Sequence, residues 1–522
     1  MPADIRASFE ETTGKNLSWL FDDLINTDKY LDYKINGMIK PGDQTNNQYV
    51  VMVKNAGEIA GPVCLNAIKD GKVVKTIWYD GFVGTIGLTF PAGDYDEFMI
   101  DQPERMPEVD RKNNTENTSG VFKKMEPLKF QFVGSLDNPT RTQLFYTPTV
   151  GFNNYDKFMV GAAIYNHVIP GKTFEWCAMP MYSTKDKSVV GHADAFFTIR
   201  PNSVFQDVRI GANANQYHFY DFKQGNAADG IITDRRFGFT KVAPEIDFDF
   251  KKAFPRSPIS QSIVLRAIWI KQDEIHYNVF VDSSGSSSTS VISPVERTFY
   301  EASYTLKNSR ALNGYDFTFK LQSGDEMNKL QLTANYHLNY AAKKKIDFRL
   351  FAGTFLSNAE NGDYRFRMSG WGPLGIGNQD YLFDNIFLGR SEKTGLMAQQ
   401  MAVEDGGFKV YTQAGQSTKW LTSLDVTIPL PMKNKYLSLI KIFADAGVYD
   451  TKNLGGPRFE YEAGLQVGLI GNDVCTVYFP LLVSQDIKDN YSVNGWTYRN
   501  MIRFTFNLNK LNPFKLVNNI QI

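Results

Sequence analysis

Residues 329–340 alternate between apolar and polar side chains. Leu330, Leu332, Ala334, Tyr336, Leu338 and Tyr340 fall on one side; Gln331, Thr333, Asn335, His337 and Asn339 fall on the other. Successive side chains of a strand point to opposite faces, so this segment makes a ribbon with one apolar and one polar face. The pattern recurs at Tyr315–Gln322, Ile346–Phe355, Phe459–Gly468 and Arg499–Leu508. A tilted strand of ~9–11 such residues crosses a bilayer, and a closed barrel pairs every backbone group there. Roughly sixteen strands follow residue 140 on this reading. Their connections alternate: 200–203, 251–258, 307–313 and 340–344 are short, whereas 218–235, the Ser-rich 272–294 and 484–495 are long. The longest, 357–419, is followed by short turns at 429–435 and 471–472. Short turns on one side and long loops on the other are the habit of a transmembrane barrel. The expected fold is mainly β: an antiparallel transmembrane β-barrel of about sixteen strands, preceded by a small β-sandwich and a short helical segment. A soluble β-sandwich also alternates and is the competing fold.

Composition narrows the function. The 56 basic and 56 acidic residues cancel, so no nucleic-acid partner is expected from bulk charge. Phe (39) and Tyr (26) are abundant, as strands and aromatic girdles require. Mean hydropathy is −0.31 and no apolar run approaches a membrane helix. No apolar signal region follows Met1, so an exported chain is expected to begin inside a longer protein. Cys64, Cys177 and Cys475 have neither metal-site spacing nor a disulfide framework.

Three segments emerge. Residues 1–32 are helical, with Phe9, Leu17, Leu20, Phe21, Leu24 and Ile25 at helical spacing but nothing nearby to cover them. Residues 33–119 hold short strands and turns such as Asp70-Gly71 and read as an immunoglobulin-like β-sandwich, with a linker over 101–120. Residues 120–522 form the barrel.

Two resemblances add to this. Ile442-Phe-Ala-Asp445-Ala-Gly447, Tyr461-Glu-Ala-Gly464, Val477-Tyr-Phe-Pro480 and Ile502-Arg-Phe504-Thr-Phe506-Asn-Leu508 resemble the Omp85/surface-antigen superfamily of outer-membrane barrels. That resemblance implies that the longest loop enters the lumen with an Arg-Gly-aromatic motif. Here the nearest match is Phe387-Leu-Gly389-Arg390, in a different order, so Gly389 and Arg390 are the lumen-loop candidates. It also implies that Ile502, Phe504 and Phe506 form the strand that barrel-assembly machinery recognises. The chain ends on Ile522 rather than on an aromatic residue. Separately, Phe9-Glu-Glu-Thr-Thr13-Gly14-Lys15-Asn16-Leu17-Ser18-Trp19-Leu20-Phe21-Asp22-Asp23 resembles the end of the catalytic domain of M1-family zinc aminopeptidases, which also leads into a sandwich. The combination implies the barrel anchor of a membrane-bound peptidase in the bacterial outer membrane. Its partners would be outer-membrane lipid, barrel-assembly machinery and an upstream peptidase domain that holds the zinc.

The chain itself lacks that chemistry. His167, His192, His218, His276 and His337 include no pair four apart, so there is no His-Glu-x-x-His zinc helix. Asp273-Glu274-Ile275-His276 reads as loop surface. Gly370-Trp-Gly372-Pro-Leu-Gly375-Ile-Gly377 reads as flexible loop, and Asp445 as lumen packing. No catalytic, cofactor-binding or metal-binding residue is assigned, and the chain is not expected to be catalytic alone. The alternatives to an anchor are an Omp85-like pore or assembly protein and a soluble β-rich binding protein.

Overall fold

A computed structural model describes residues 2–507 except 43–46, 103, 121–122, 124–127, 137, 139–140, 168–170, 202, 227–230, 255, 283–284, 325, 342–343, 359–363, 373–379, 431–436, 452–454 and 471–473. The chain divides into two compact units at Tyr146/Thr147.

The first unit opens with helix α1 (Pro2–Thr13) and a π-helical turn (Trp19–Ile25). Strands follow: β1 (Tyr33–Ile39), β2 (Gln48–Asn55), β3 (Val63–Lys69), β4 (Lys72–Tyr79), β5 (Thr85–Pro91), β6 (Glu97–Ile100), β7 (Thr115–Asn117) and β8 (Leu128–Phe132). The first seven build a three-stranded sheet, β1-β2-β5, and a four-stranded sheet, β4-β3-β6-β7, whereas β8 pairs in parallel with residues 142–146. Ile35, Val51 and Val53 of one sheet and Val63, Leu65, Phe98 and Ile100 of the other share one buried core. Trp19 and Leu24 pack against that core, so the helical segment has a partner close by after all. The linker reading of 101–120 also fails. Thr115–Asn117 pairs with β6, and Asn114 and Glu116 are buried. Polar residues read as linker, but here they satisfy backbone groups: both oxygens of Asp101 accept main-chain N–H bonds, from Arg105 and Met106.

The second unit contains the long strands. They are β9 (Thr142–Asn153), β10 (Lys157–Tyr165), β11 (Phe174–Ser183), β12 (Val189–Ile199), β13 (Phe205–Asn226), β14 (Ile231–Phe250), β15 (Ile259–Asp282), β16 (Gly285–Asn308), β17 (Tyr315–Gly324), β18 (Met327–Ala341) and β19 (Lys344–Asn358). After an excursion that carries β20 (Phe366–Arg367), β21 (Gln400–Met401) and β22 (Gln416–Ser417), five more follow: β23 (Trp420–Pro429), β24 (Ile440–Asp450), β25 (Arg458–Ile470), β26 (Cys475–Val483) and β27 (Arg503–Phe506). Neighbours pair antiparallel in sequence order from β10 to β19; β19 then pairs with β23, and the order resumes to β27. The long excursion is therefore an insertion into a continuous meander, as its place in the sequence predicts.

Two adjacent rows show how the faces are used. Glu245, Arg266, Glu301, Gln322 and Lys329 are register partners across β14–β18. Glu301, Gln322 and Lys329 of that row are 8%, 2% and 5% exposed. The next row is Ile210, Ile246, Leu265, Ala302 and Leu321. There Ile210, Leu265 and Leu321 are 43%, 41% and 40% exposed. The charged face is the covered one and the apolar face is the bare one, the reverse of a water-soluble sheet.

Three expectations need correction. The long loops at 218–235 and 272–294 are mostly strand. Register partners run from His218↔Gly238 to Asn226↔Ile231 and from Gln272↔Val295 to Asp282↔Gly285. Aromatic and β-branched residues such as Tyr217, Phe219, Phe222 and Ile275 favour the pleat over a coil. Asp273–His276 thus lies in β15, where Glu274 binds Arg297 at 2.5 Å. The ribbon expected over Arg499–Leu508 shrinks to Arg503–Phe506. Thr497 and Asn500 cap each other reciprocally and start the short helix α3 (Tyr498–Met501). Most of the loop expected at 484–495 is helix α2 (Gln485–Val493).

Candidate functional site

The covered face of the second unit is filled by the excursion, and the residues that hold it there define the site. Asp425, Asp445 and Glu462 are direct register partners on β23, β24 and β25. Three carboxylates side by side on one face repel one another unless cations intervene. Two do. Arg349, paired with Asp425 in register from β19, places Nη1 2.8 Å from Asp425 Oδ2. Lys409, from the excursion, places Nζ 2.9 Å from Asp445 Oδ2. The backbone N–H of Val410 donates to Glu462 Oε2 at 3.0 Å, and that of Lys409 donates to Glu462 Oε1. One cation and two amides of the excursion therefore dock onto one anionic row of the wall.

Gly407 explains how the chain approaches so closely. Its φ is +76°, and a Cβ there would collide with the Arg349–Asp425 pair. Gly447 plays the matching part on the wall, because a Cβ there would strike the Met368 side chain of the excursion. Asp445 and Gly447 of the Asp-Ala-Gly piece, and Glu462 of the Glu-Ala-Gly piece, thus all face the excursion. Packing around the dock is apolar: Phe366, Met368, Phe408 and Val410 meet Phe351, Leu421 and Tyr449 of the wall and Ile487 and Tyr491 of α2.

A second anchor lies on the opposite part of the sheet. Asp384 binds Lys241 of β14 and accepts from Arg266 of β15, with Nη2 2.6 Å from Oδ2. Next to it the Phe383 ring stacks on Phe239, with centroids 3.9 Å apart and 17° between planes. A cavity of about 230 Å³ lies between the two anchors, lined by Glu301, Lys320, Lys329, Arg349, Glu404 and Asp405.

The residues singled out from sequence distribute as follows. Gly389 and Arg390 lie in the excursion, but Arg390 pairs with Asp380 at 2.8 Å, inside the excursion itself, under the rings of Phe383 and Phe387. It braces the excursion, and Lys409 makes the link to the wall. Phe504 and Phe506 lie on β27, on the face opposite the buried Arg503; Ile502 precedes the strand. Asp445 is 2% exposed and serves packing, as its position suggests. Residues 373–379 of the glycine-rich stretch lie outside the described residues. Among the described residues no group of three His, Cys, Asp or Glu side chains is placed to hold a metal. Lys409 carried a weak sequence signal, since Gly406-Gly407-Phe408-Lys409 is a cation after a glycine pair inside the longest loop.

No protein-family model matches the sequence, and no curated protein matches it. Solved structures do. CdiB from Acinetobacter baumannii is 10% identical over 74% of this chain and 67% of its own, with a TM-score of 0.33. BamA from Haemophilus ducreyi lacking POTRA domains 1–3 is 12% identical over 66% of this chain and 69% of its own, with a TM-score of 0.34. CdiB from Escherichia coli is 10% identical over 73% and 69%, also at 0.34. Scores at this level leave the functional reading to the chain's own residues.

Proposed function

We propose that the second unit is an outer-membrane β-barrel of the Omp85 type, closed by β9 into sixteen strands, that acts in assembly or export at the bacterial outer membrane, with its lumen occupied by the excursion. The observation that carries this reading is the bare apolar face. Besides the Ile210 row, Phe158, Val160, Phe197, Phe319, Tyr336, Leu350, Leu424, Ile442, Tyr461 and Leu481 are exposed on strands from β10 to β26. A soluble monomer rarely bares a contiguous apolar patch beyond a few hundred Å². Lipid covers such a face at no desolvation cost, and the charged face then lines the interior. The first unit, read as a small sandwich, serves as a spacer, and Phe504 and Phe506 present an outward apolar edge to barrel-assembly machinery. The peptidase-anchor reading of residues 1–32 gains nothing further, because Trp19 and Leu24 are used to cover the first unit's own core.

Fractionation tests the proposal. Expressed with an export signal, the chain should stay in outer membranes through an alkaline wash and migrate faster on gels before boiling than after. Release by alkali together with unchanged migration overturns it.

A further inference from the structure

A second cavity, of about 280 Å³, lies between the excursion, α3 and β27, and is lined by Lys393, Gln399, Trp496, Arg499, Asn500 and Arg503. Three of these six side chains are cations, and among the described residues no carboxylate lines the space. The cavity is graded in depth. Lys393, Arg499 and Asn500 are exposed at its mouth, and Arg503 is 4% exposed at its floor.

Arg503 is the unusual member. Its Nη1 donates to the carbonyl of Ala398, and its guanidinium lies 4.9 Å from the ring centroid of Tyr411. Its Nε has no partner among the described residues. Five other cations of this unit reach carboxylates: Lys241 and Arg266 meet Asp384, Arg349 meets Asp425, Arg390 meets Asp380, and Lys409 meets Asp445. Lys329 and Arg367 make no such pair but feel the charge of Asp405. Arg503 also hydrogen-bonds the Tyr491 side chain, so it meets uncharged groups in place of a carboxylate. A buried guanidinium without a counter-charge is costly, and an anion seated beside it removes that cost.

We infer that this cavity is an anion site that takes a phosphate monoester group. Two guanidinium groups, those of Arg499 and Arg503, line the space together with the Lys393 ammonium, and guanidinium groups match the geometry of tetrahedral oxyanions. A free phosphate compound and a phosphorylated lipid headgroup share that chemistry.

The test uses the full chain and a Lys393→Gln/Arg499→Gln variant, both altered positions being exposed. Calorimetric titration in detergent with inorganic phosphate, at constant ionic strength, probes the free source. Native mass spectrometry of the chain in detergent with added phosphatidylcholine or phosphatidic acid probes the lipid source. Saturable phosphate binding that weakens about tenfold or more in the variant supports a site for soluble phosphates. Lipid adducts confined to phosphatidic acid, and lost in the variant, support a headgroup site. Equal behaviour of variant and parent in both arms, or no binding in either, overturns the inference.

Discussion

Replacing Lys409 with Met removes the charge from the dock while keeping most of the apolar stem. The Lys409 side chain is 6% exposed and that of Asp445 is 0% exposed, so no water takes over the ammonium's place. Asp425, Asp445 and Glu462 would then stand as neighbours with only Arg349 among them. Removing one partner of a buried pair costs about 3–5 kcal/mol, or roughly 150- to 5000-fold in the equilibrium for releasing the excursion. The backbone amides of Lys409 and Val410 report this directly, because both are protected by Glu462. Hydrogen exchange of a peptide spanning 408–412 should accelerate toward that factor in Lys409→Met, with strands such as β17 unchanged. Adding Asp445→Asn and Glu462→Gln removes the repulsion and should restore much of the protection. Unchanged exchange in Lys409→Met refutes the dock.

Three further predictions follow from single sites. Gly407→Ala should accelerate the same exchange by about tenfold or more, since the φ of +76° and the Arg349–Asp425 pair both oppose a Cβ. Phe504→Asp should deplete the chain from the membrane fraction, and normal insertion of that variant would remove Phe504 from the outward face. Burial pushes the Glu108 carboxyl up to about 7, although it accepts from the Asn114 side chain and the Tyr33 N–H. Its folded pKa lies above the ordinary value of 4.5, so its contribution to stability is complete below about pH 4.5 and is lost as pH rises through 7. Exchange in the first unit should therefore quicken between pH 5 and 8 after correction for intrinsic rates, and Glu108→Gln should flatten that dependence. An equally steep dependence in the variant would assign it to another group.

The strands of the wall were largely legible because one face meets apolar surroundings and the other meets charge. Lys329–Tyr340 and Ile346–Phe355 both fall within their observed strands, Met327–Ala341 and Lys344–Asn358. The signal fades where both faces are covered. On β15, Leu265 faces outward, yet Ile268 and Ile270 on the opposite face are buried against the excursion, so alternation disappears. The hairpin extensions were hidden for a different reason: serine and glycine near a strand's end carry the composition of a loop, whereas the pairing is set by the opposite strand. Lys409 was missed because its partners lie 36 and 53 positions away, on two different strands. The carboxylates themselves were visible in the Asp-Ala-Gly and Glu-Ala-Gly pieces. The lumen-loop candidate Arg390 is spent on Asp380 instead.

The most direct test of the account is spin-label accessibility along β15 and β24, placed one residue at a time in a chain whose three cysteines are replaced and which is reconstituted in bilayers. Labels at Leu265, Ala267, Ile442 and Ala444 should collide with oxygen, which concentrates in lipid. Labels at Val264, Arg266, Phe443 and Asp445 should be shielded from it, giving a period of two in phase with the apolar row. Equal access of a water-soluble relaxer to both sets, or a pattern of opposite phase, would contradict a lipid-facing wall around a filled lumen.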